Sequence, residues 1–482
     1  MTTLDELAEI TAAAAAAAPA VANATADTRS GWLSAIADAL DAHADELAEL
    51  ANSETHLGVP RLRGEVARTT GQLRLFADVI TEGSYLEAVI DHADPAAVPP
   101  LPDLRRMLYP IGPIAVFSAS NFPFAFSVAG GDTASALAVG CPVVVKAHSG
   151  HPALSARTAE LTADALRDAG APAGTFALVT GRETGTALVR DPHIKGVGFT
   201  GSVAGGRALY DLAVSRPDPI PFYGELGSVN PVVLTTEAVS ARSSALAEEL
   251  VASFTMGAGQ FCTKPGVVFV PAGSDFASAV AAAAVAETGG RLLTERIAEG
   301  FAAGLGALAS DPEVTVVAGD IAQFDVHSTA TPVVLATTAP ALVTRSETLL
   351  EECFGPTTLL VSYASDSELL TALRLVPGSL TATVHSEPGE DITELVEVLR
   401  DRAGRVLFDG WPTGVAVNWA QHHGGPWPAT TSLFTSVGAT AARRFQRPVA
   451  YQNAPARILP AALREENPLS IPRRVDGRLT FD

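Results

Sequence analysis

"GVGFTGSVAGGRALYDLA", Gly196 to Ala213, reads as a short apolar run, a glycine turn and a helical stretch in direct succession. Upstream, "PIAVFSA", "CPVVVKA" and "TFALVTG" are runs of the same kind, separated by the helical stretches "VAGGDTASALAVG" and "HPALSARTAELTADALRDAG". Strands alternating with helices in this way predict an α/β fold, with right-handed βαβ units around a parallel sheet buried on both faces. A second series starts at "PVVLTTEA" near Pro231 and continues through "GVVFVPA", "VTVVAGD", "TPVVLATT" and "TTLLVSYA". On the other side, Leu4 to about Gly83 repeats apolar residues at three- and four-residue spacing, which is a helical pattern. "DHADPAAVPPLPDLRR" breaks those helices. Near the C-terminus, "RFQRPVAYQNAP" and a proline-punctuated tail can supply a strand that pairs with another subunit.

Composition narrows the class. A chain of 482 residues is long enough for more than one core. The sequence holds no apolar run of about 18 residues or more. The N-terminal "MTTLDELAEITAAAAAAAPAV" is acidic and lacks a basic leader, so it reads as an alanine-rich helix and not as a signal peptide. A formal net charge of −21 argues against nucleic acid and anionic membrane as partners. The three cysteines, Cys141, Cys262 and Cys353, are far apart, which suits a reducing compartment better than a disulfide framework. The expectation is a soluble cytoplasmic protein. Lysine occurs only at Lys146, Lys195 and Lys264 in an otherwise arginine-rich chain, so each is a candidate for a position that wants a compact charge.

Several short stretches carry candidate chemistry. Cys141 is embedded in the apolar "ALAVGCPVVV", whereas Cys262 in "GQFCTKPG" has small and polar neighbours, as a presented thiol would. "GVGFTG" matches the G-x-G-x-x-G pattern, but Gly196 and Gly198 fall inside the apolar run and only Gly201 stands at the turn. These are either strand glycines beside a turn or an irregular dinucleotide site, with Thr200, Gly201 and Ser202 at a helix start. Glu225 in "YGELGSVNP" is a solvated carboxylate, or a base in a cleft between two units. Asn121 in "SASNFPFAF" makes a local turn, or donates to an oxyanion. "EECFGP" by itself is a turn. In "HHGGPWPATT", His422 and His423 lie on a surface loop, or on one that folds over a site with His423 as auxiliary base. No set of histidines and cysteines has metal-ligand spacing, so no metal is expected.

Together and in this order, "SNFPF", "VVVKAHSGHP", "GFTGSVAGG", "GELGSVNP", "GQFCTKPG" and "EECFGP" resemble the aldehyde dehydrogenase superfamily over nearly the whole chain. "GELGSVNP", "FDGWPTGVAVN" and "HGGPWPATT" resemble its NADP-accepting branch, which includes 2,5-dioxovalerate dehydrogenases and bacterial fatty-aldehyde dehydrogenases. The resemblance implies a Rossmann-like cofactor-binding domain (1–90 and 108–226), an α/β catalytic domain (227–421) and a small oligomerisation element (91–107 and 440–482). It implies a homodimer or homotetramer.

Carried over residue by residue, Cys262 is the nucleophile and Glu225 the general base, and Asn121 with the Cys262 N–H forms the oxyanion hole. Lys146 bonds the adenosine ribose, Ser202 sits at the pyrophosphate, Glu352 holds the nicotinamide ribose, and Phe354 contacts the nicotinamide region. NAD-specific relatives often carry a glutamate where this chain has Ser149. A serine there, with Arg182 of "VTGRETG" following the next strand, implies that NADP is accepted and preferred, with NAD possible. Lys264 is a candidate for lowering the Cys262 pKa. The implied reaction is oxidation of an aldehyde to a carboxylate through a thiohemiacetal and a thioester, with 2,5-dioxovalerate as the first candidate substrate. The alternatives are a medium- or long-chain fatty aldehyde, or ester hydrolysis on the same cysteine.

Overall fold

The structure is a computed structural model that describes residues 1–321 and 329–481. Four helices open the chain: Leu4–Asn23, Ala26–Ala42, Ala44–Thr55 and Val59–Glu82. The first starts at a capping box, in which Thr3 caps the Glu6 amide and the Glu6 carboxylate accepts from the Thr3 N–H at 2.7 Å. Ala26–Ala42 and Val59–Glu82 pack together through Leu33, Ile36, Leu62, Leu73 and Phe76, all fully buried. Their apolar stripes recur at helical spacing, which is why the pattern was legible.

A first sheet has the strand order Phe176–Val179, Val143–Lys146, Ile114–Phe117, Gly196–Thr200, Phe222–Glu225, and every pair in it is parallel. The opening stretch therefore forms strand, turn and helix as expected, with the helix at Val203–Val214. Gly196 and Gly198 are strand residues. A Cβ at Gly198 would come 2.5 Å from Asp132 Oδ2, so this glycine makes room for a neighbouring carboxylate and not for a phosphate.

A second, seven-stranded sheet runs Thr315–Ala318, Val333–Thr338, Thr357–Tyr363, Val267–Pro271, Val232–Leu234, Ser379–His385, Ala403–Phe408. Only the Thr315–Ala318 edge is antiparallel. A third sheet joins Gln446–Gln452, Leu104–Pro110, Val89–Asp91, Arg473–Val475 and Arg478–Thr480. Within it, "RFQRPVAYQN" pairs antiparallel with Leu104–Pro110 of its own chain, and it lies at the edge of the sheet. No described helix is long and apolar enough to cross a membrane.

This topology places the site. Lys146, Thr200 and Glu225 are the last residues of three parallel strands, so all three reach the same edge of the first sheet. The carboxyl edge of a parallel sheet is where loops and helix N-termini gather to receive ligands.

Candidate active site

Cys262 is delivered by a kinked descent from the helix Thr236–Thr255. Gly257, Ala258 and Gly259 all adopt positive φ, at 58°, 57° and 69°. At Gly259 the requirement is also spatial, since a Cβ would lie 2.1 Å from the Gly355 carbonyl oxygen. The "GQFCTKPG" and "EECFGP" loops are thus in backbone contact, which sets the Glu352 carboxylate within electrostatic reach of Cys262. Asn230, in the left-handed region at φ 48°, fixes the other side of the loop. Its amide donates to the carbonyls of Cys262 (2.8 Å) and Lys264 (2.9 Å), while its Oδ1 accepts from Ser228 and Thr381. This buried clamp was not singled out from sequence. Apart from Ser228, its partners lie more than thirty positions away, and no local pattern announces such a contact.

Cys262 lines a cavity of about 350 Å³ with Phe122, Phe126 and Phe261. Its Sγ is 3.7 Å from His423 Nε2, and the same nitrogen is 3.6 Å from Glu225 Oε2. His423 is therefore at the site, not on a surface loop, and its backbone N–H is held by Thr435 Oγ1 at 2.8 Å. The Ser436 hydroxyl donates to the other Glu225 oxygen.

Burial dominates the electrostatics here, as expected where titratable groups leave water. It pushes the Cys262 thiol up to about 12, and the negative charges of Glu225 and Glu352 add to the shift. It pushes Glu225 up to about 8 against the Ser436 hydrogen bond. It pulls His423 down to about 3, aided by Arg405 and Arg68. His423 is then a neutral imidazole, and its contact with Glu225 is not an ion pair.

Asn121 is buried, and its Nδ2 donates to the Gln260 carbonyl at 3.0 Å, two residues before Cys262. An amide nitrogen carries two hydrogens, so one remains for another acceptor. Lys264 turns away from the thiol. Its ammonium donates to the carbonyls of Cys353 (2.9 Å) and Thr357 (2.8 Å), so a role in lowering the Cys262 pKa is corrected to pinning the adjacent loop. Its charge instead opposes the burial that raises Glu352 to about 7.

Around the edge of the first sheet the remaining candidates are spread out. The Gly201 N–H is spent on the Glu225 carbonyl at 3.0 Å, and the Ser202 hydroxyl caps Gly205 at 3.2 Å. This leaves the first-turn amides of Val203 and Ala204 without intrahelical partners. Lys146 is half-buried, and burial lowers the pKa of its ammonium, yet among the described residues that ammonium forms no hydrogen bond or ion pair. Ser149 is exposed in the turn that follows. Arg182 is exposed on the first turn of the helix Arg182–Arg190, and among the described residues it shares no hydrogen bond with Lys146 or Ser149. The strands leading to these residues are neighbours, with Lys146 paired to Val179. Glu352 lies against Gly227, with its Oε2 2.9 Å from where a Cβ there would sit, and Phe354 is half-buried two residues on. Helix-end amides, an unpaired ammonium and a carboxylate arranged along one sheet edge fit a dinucleotide.

A thiol, an imidazole and a carboxyl at these spacings, beside such an edge, suit covalent acyl chemistry next to a bound dinucleotide. The model of the aldehyde dehydrogenase family matches residues 1–426, and the chain belongs to that family, whose members use NAD(P). The chain is 46% identical over 460 residues to alpha-ketoglutaric semialdehyde dehydrogenase 2 of Azospirillum brasilense, covering 93% of this chain and 87% of that one. It is 42% identical over 485 residues to the alpha-ketoglutaric semialdehyde dehydrogenase of Acinetobacter baylyi, covering 99% and 92%. Among solved structures, the NADP-dependent glyceraldehyde-3-phosphate dehydrogenase of Bacillus halodurans, complexed with NADP, shares the fold. Its TM-score is 0.78 at 22% identity, covering 94% of this chain and 92% of that one.

Proposed function

We propose that this aldehyde dehydrogenase oxidises 2,5-dioxovalerate (α-ketoglutaric semialdehyde) to 2-oxoglutarate, with Cys262 as nucleophile. The observation that carries the mechanism is the line from Cys262 Sγ through His423 Nε2 to Glu225, with spacings of 3.7 and 3.6 Å. The names of the two relatives above support the substrate. A thiol near pKa 12 cannot ionise alone at neutral pH. Neutral His423 lies between it and Glu225, so the proton passes toward the carboxylate as sulfur attacks the aldehyde carbon. The free Asn121 N–H and the Cys262 N–H hold the resulting oxyanion. NAD(P), when bound, supplies the hydride acceptor that turns the thiohemiacetal into a thioester. Glu225 releases that proton to solvent and, ionised again, takes a proton from the water that hydrolyses the thioester.

The cofactor would lie on Lys146, the amides after Ser202, Glu352 and Phe354. Ser149 presents a hydroxyl, not a carboxylate, where the 2′-phosphate would sit, and Arg182 begins the helix after the adjacent strand. NADP is therefore the preferred form. The test crosses 2,5-dioxovalerate, succinate semialdehyde, hexanal and decanal with NADP and NAD. The highest kcat/KM should fall on 2,5-dioxovalerate with NADP. A maximum on decanal would overturn the substrate, and a maximum with NAD the cofactor preference.

A further inference from the structure

The cavity in front of Cys262 is walled by phenylalanine rings, yet its lining also includes a cation that has no ion-pair partner among the described residues. Arg68 rises from the helix Val59–Glu82 and reaches the cavity beside Phe122, Phe126 and Phe261. Its guanidinium stacks 5.3 Å over the Phe126 ring, and its Nε donates to the Val415 carbonyl at 3.1 Å. Both terminal nitrogens, Nη1 and Nη2, are buried with no hydrogen-bond partner. Among the described residues Arg68 forms no ion pair. The neighbouring acid, Glu65, gives one oxygen to the Phe124 and Ala125 amides at 2.9 and 3.0 Å and does not reach the guanidinium.

A buried guanidinium is held in place by its partners, and leaving both of its terminal nitrogens unpaired is costly. The stacking and the Val415 bond fix this one at the cavity wall, with both terminal nitrogens unsatisfied. A fork of two parallel N–H groups matches a carboxylate or a phosphate, and the substrate proposed above carries a carboxylate.

We propose that Arg68 binds the carboxylate of the substrate through Nη1 and Nη2, and so selects short aldehydes that carry an acid at the far end. This rests on the substrate reading above and gives it a physical cause. The rings accept the methylene chain, the fork accepts the acid, and the aldehyde carbon is left at Cys262. A long neutral aldehyde would fill the same cavity while leaving the cation unpaired, and that is the basis of discrimination. Arg61, seven residues earlier and on the same helix face, differs. Its Nη2 donates to the Asn121 carbonyl at 2.8 Å and it stacks on Phe122 and Phe261, so only Nη1 is left unpaired and the residue supports the wall without lining the cavity.

The test compares kcat/KM for 2,5-dioxovalerate with that for pentanal, in the full-length protein and in Arg68→Met and Arg68→Lys. The wild type should favour the acid. Arg68→Met should lower the acid-to-pentanal ratio by about tenfold to a hundredfold, the loss of a charge-assisted bidentate bond, with most of the change in KM. Arg68→Lys should recover part of it, since a point charge replaces the fork. A ratio unchanged in Arg68→Met overturns the proposal. If that variant does not fold, an unchanged ratio in Arg68→Lys overturns it as well. The wild type alone separates the two readings: no preference for 2,5-dioxovalerate over pentanal removes the substrate, whereas a preference indifferent to residue 68 removes only this assignment.

Discussion

Burial holds the Cys262 thiol near 12 and Glu225 near 8, so at neutral pH the resting site contains a protonated thiol and a largely protonated acid. Each charge opposes the other, since ionised Glu225 raises the thiol and burial raises both. The base is competent only as a carboxylate, and because its pKa lies above the ordinary value that form accumulates as pH rises through about 8. The deacylation-limited kcat should therefore climb with pH around a midpoint near 8. Glu225→Gln removes the acceptor for the thiol proton as well as for the proton of water, so it should show no burst of reduced cofactor and turn over roughly 100-fold or more slowly, without that midpoint. Stopped-flow absorbance with a pH series reads both features. Steady-state turnover equal to wild type would remove Glu225 from the hydrolytic step.

Cys262 stood out in the sequence by its small and polar neighbours, whereas the roles proposed for Glu225, Asn121 and Glu352 came only through the family resemblance. Arg68 was legible by neither route. In "GEVARTTGQLRLFADVI" it is one arginine on an amphipathic helix, and only the packing of Phe126 and Val415 around it turns a surface-type residue into a cavity cation.

At the scale of elements, the parallel strands were legible where valine, isoleucine and phenylalanine dominate. Two strands of the second sheet were not. In Ser379–His385, "SLTATVH", every residue is buried although about half are polar. Thr381 is admitted to the interior because its hydroxyl donates to Asn230 Oδ1 at 3.2 Å, in the clamp that also holds the Cys262 loop. Ala403–Phe408 is an edge strand with half-buried arginine, so neither alternation nor an apolar run announces it. The loop-on-loop contact at Gly259 is what turns these elements into a site. Gly259→Ala forces a side chain into positive φ and against the Gly355 carbonyl. It should cost about 3 kcal/mol in a urea melt and slow alkylation of Cys262. Gly273→Ala, also at positive φ but in open space, isolates the backbone share of that cost. Equal midpoints for the two variants would refute the packing argument.

At the scale of the molecule, the third sheet leaves a question of coverage. Gln446–Gln452 takes one neighbour, Leu104–Pro110, and its other edge has no strand among the described residues. Arg447, Pro448, Ala450 and Gln452 are exposed along it. Pro448 lacks an N–H and partly blunts the edge, but the remaining amides and carbonyls can still template a further strand. A second copy of the chain offers the same edge and can satisfy it symmetrically. Light scattering at micromolar concentration should then return at least twice the 49.6 kDa of one chain. Hydrogen exchange in Gln446–Gln452 should slow as protein concentration rises, because the outward amides are protected only in the assembly. The inward amides, already paired with Leu104–Pro110, should show little concentration dependence and serve as the internal reference. A strict monomer, or exchange across the strand that ignores concentration, would show that water alone covers this edge.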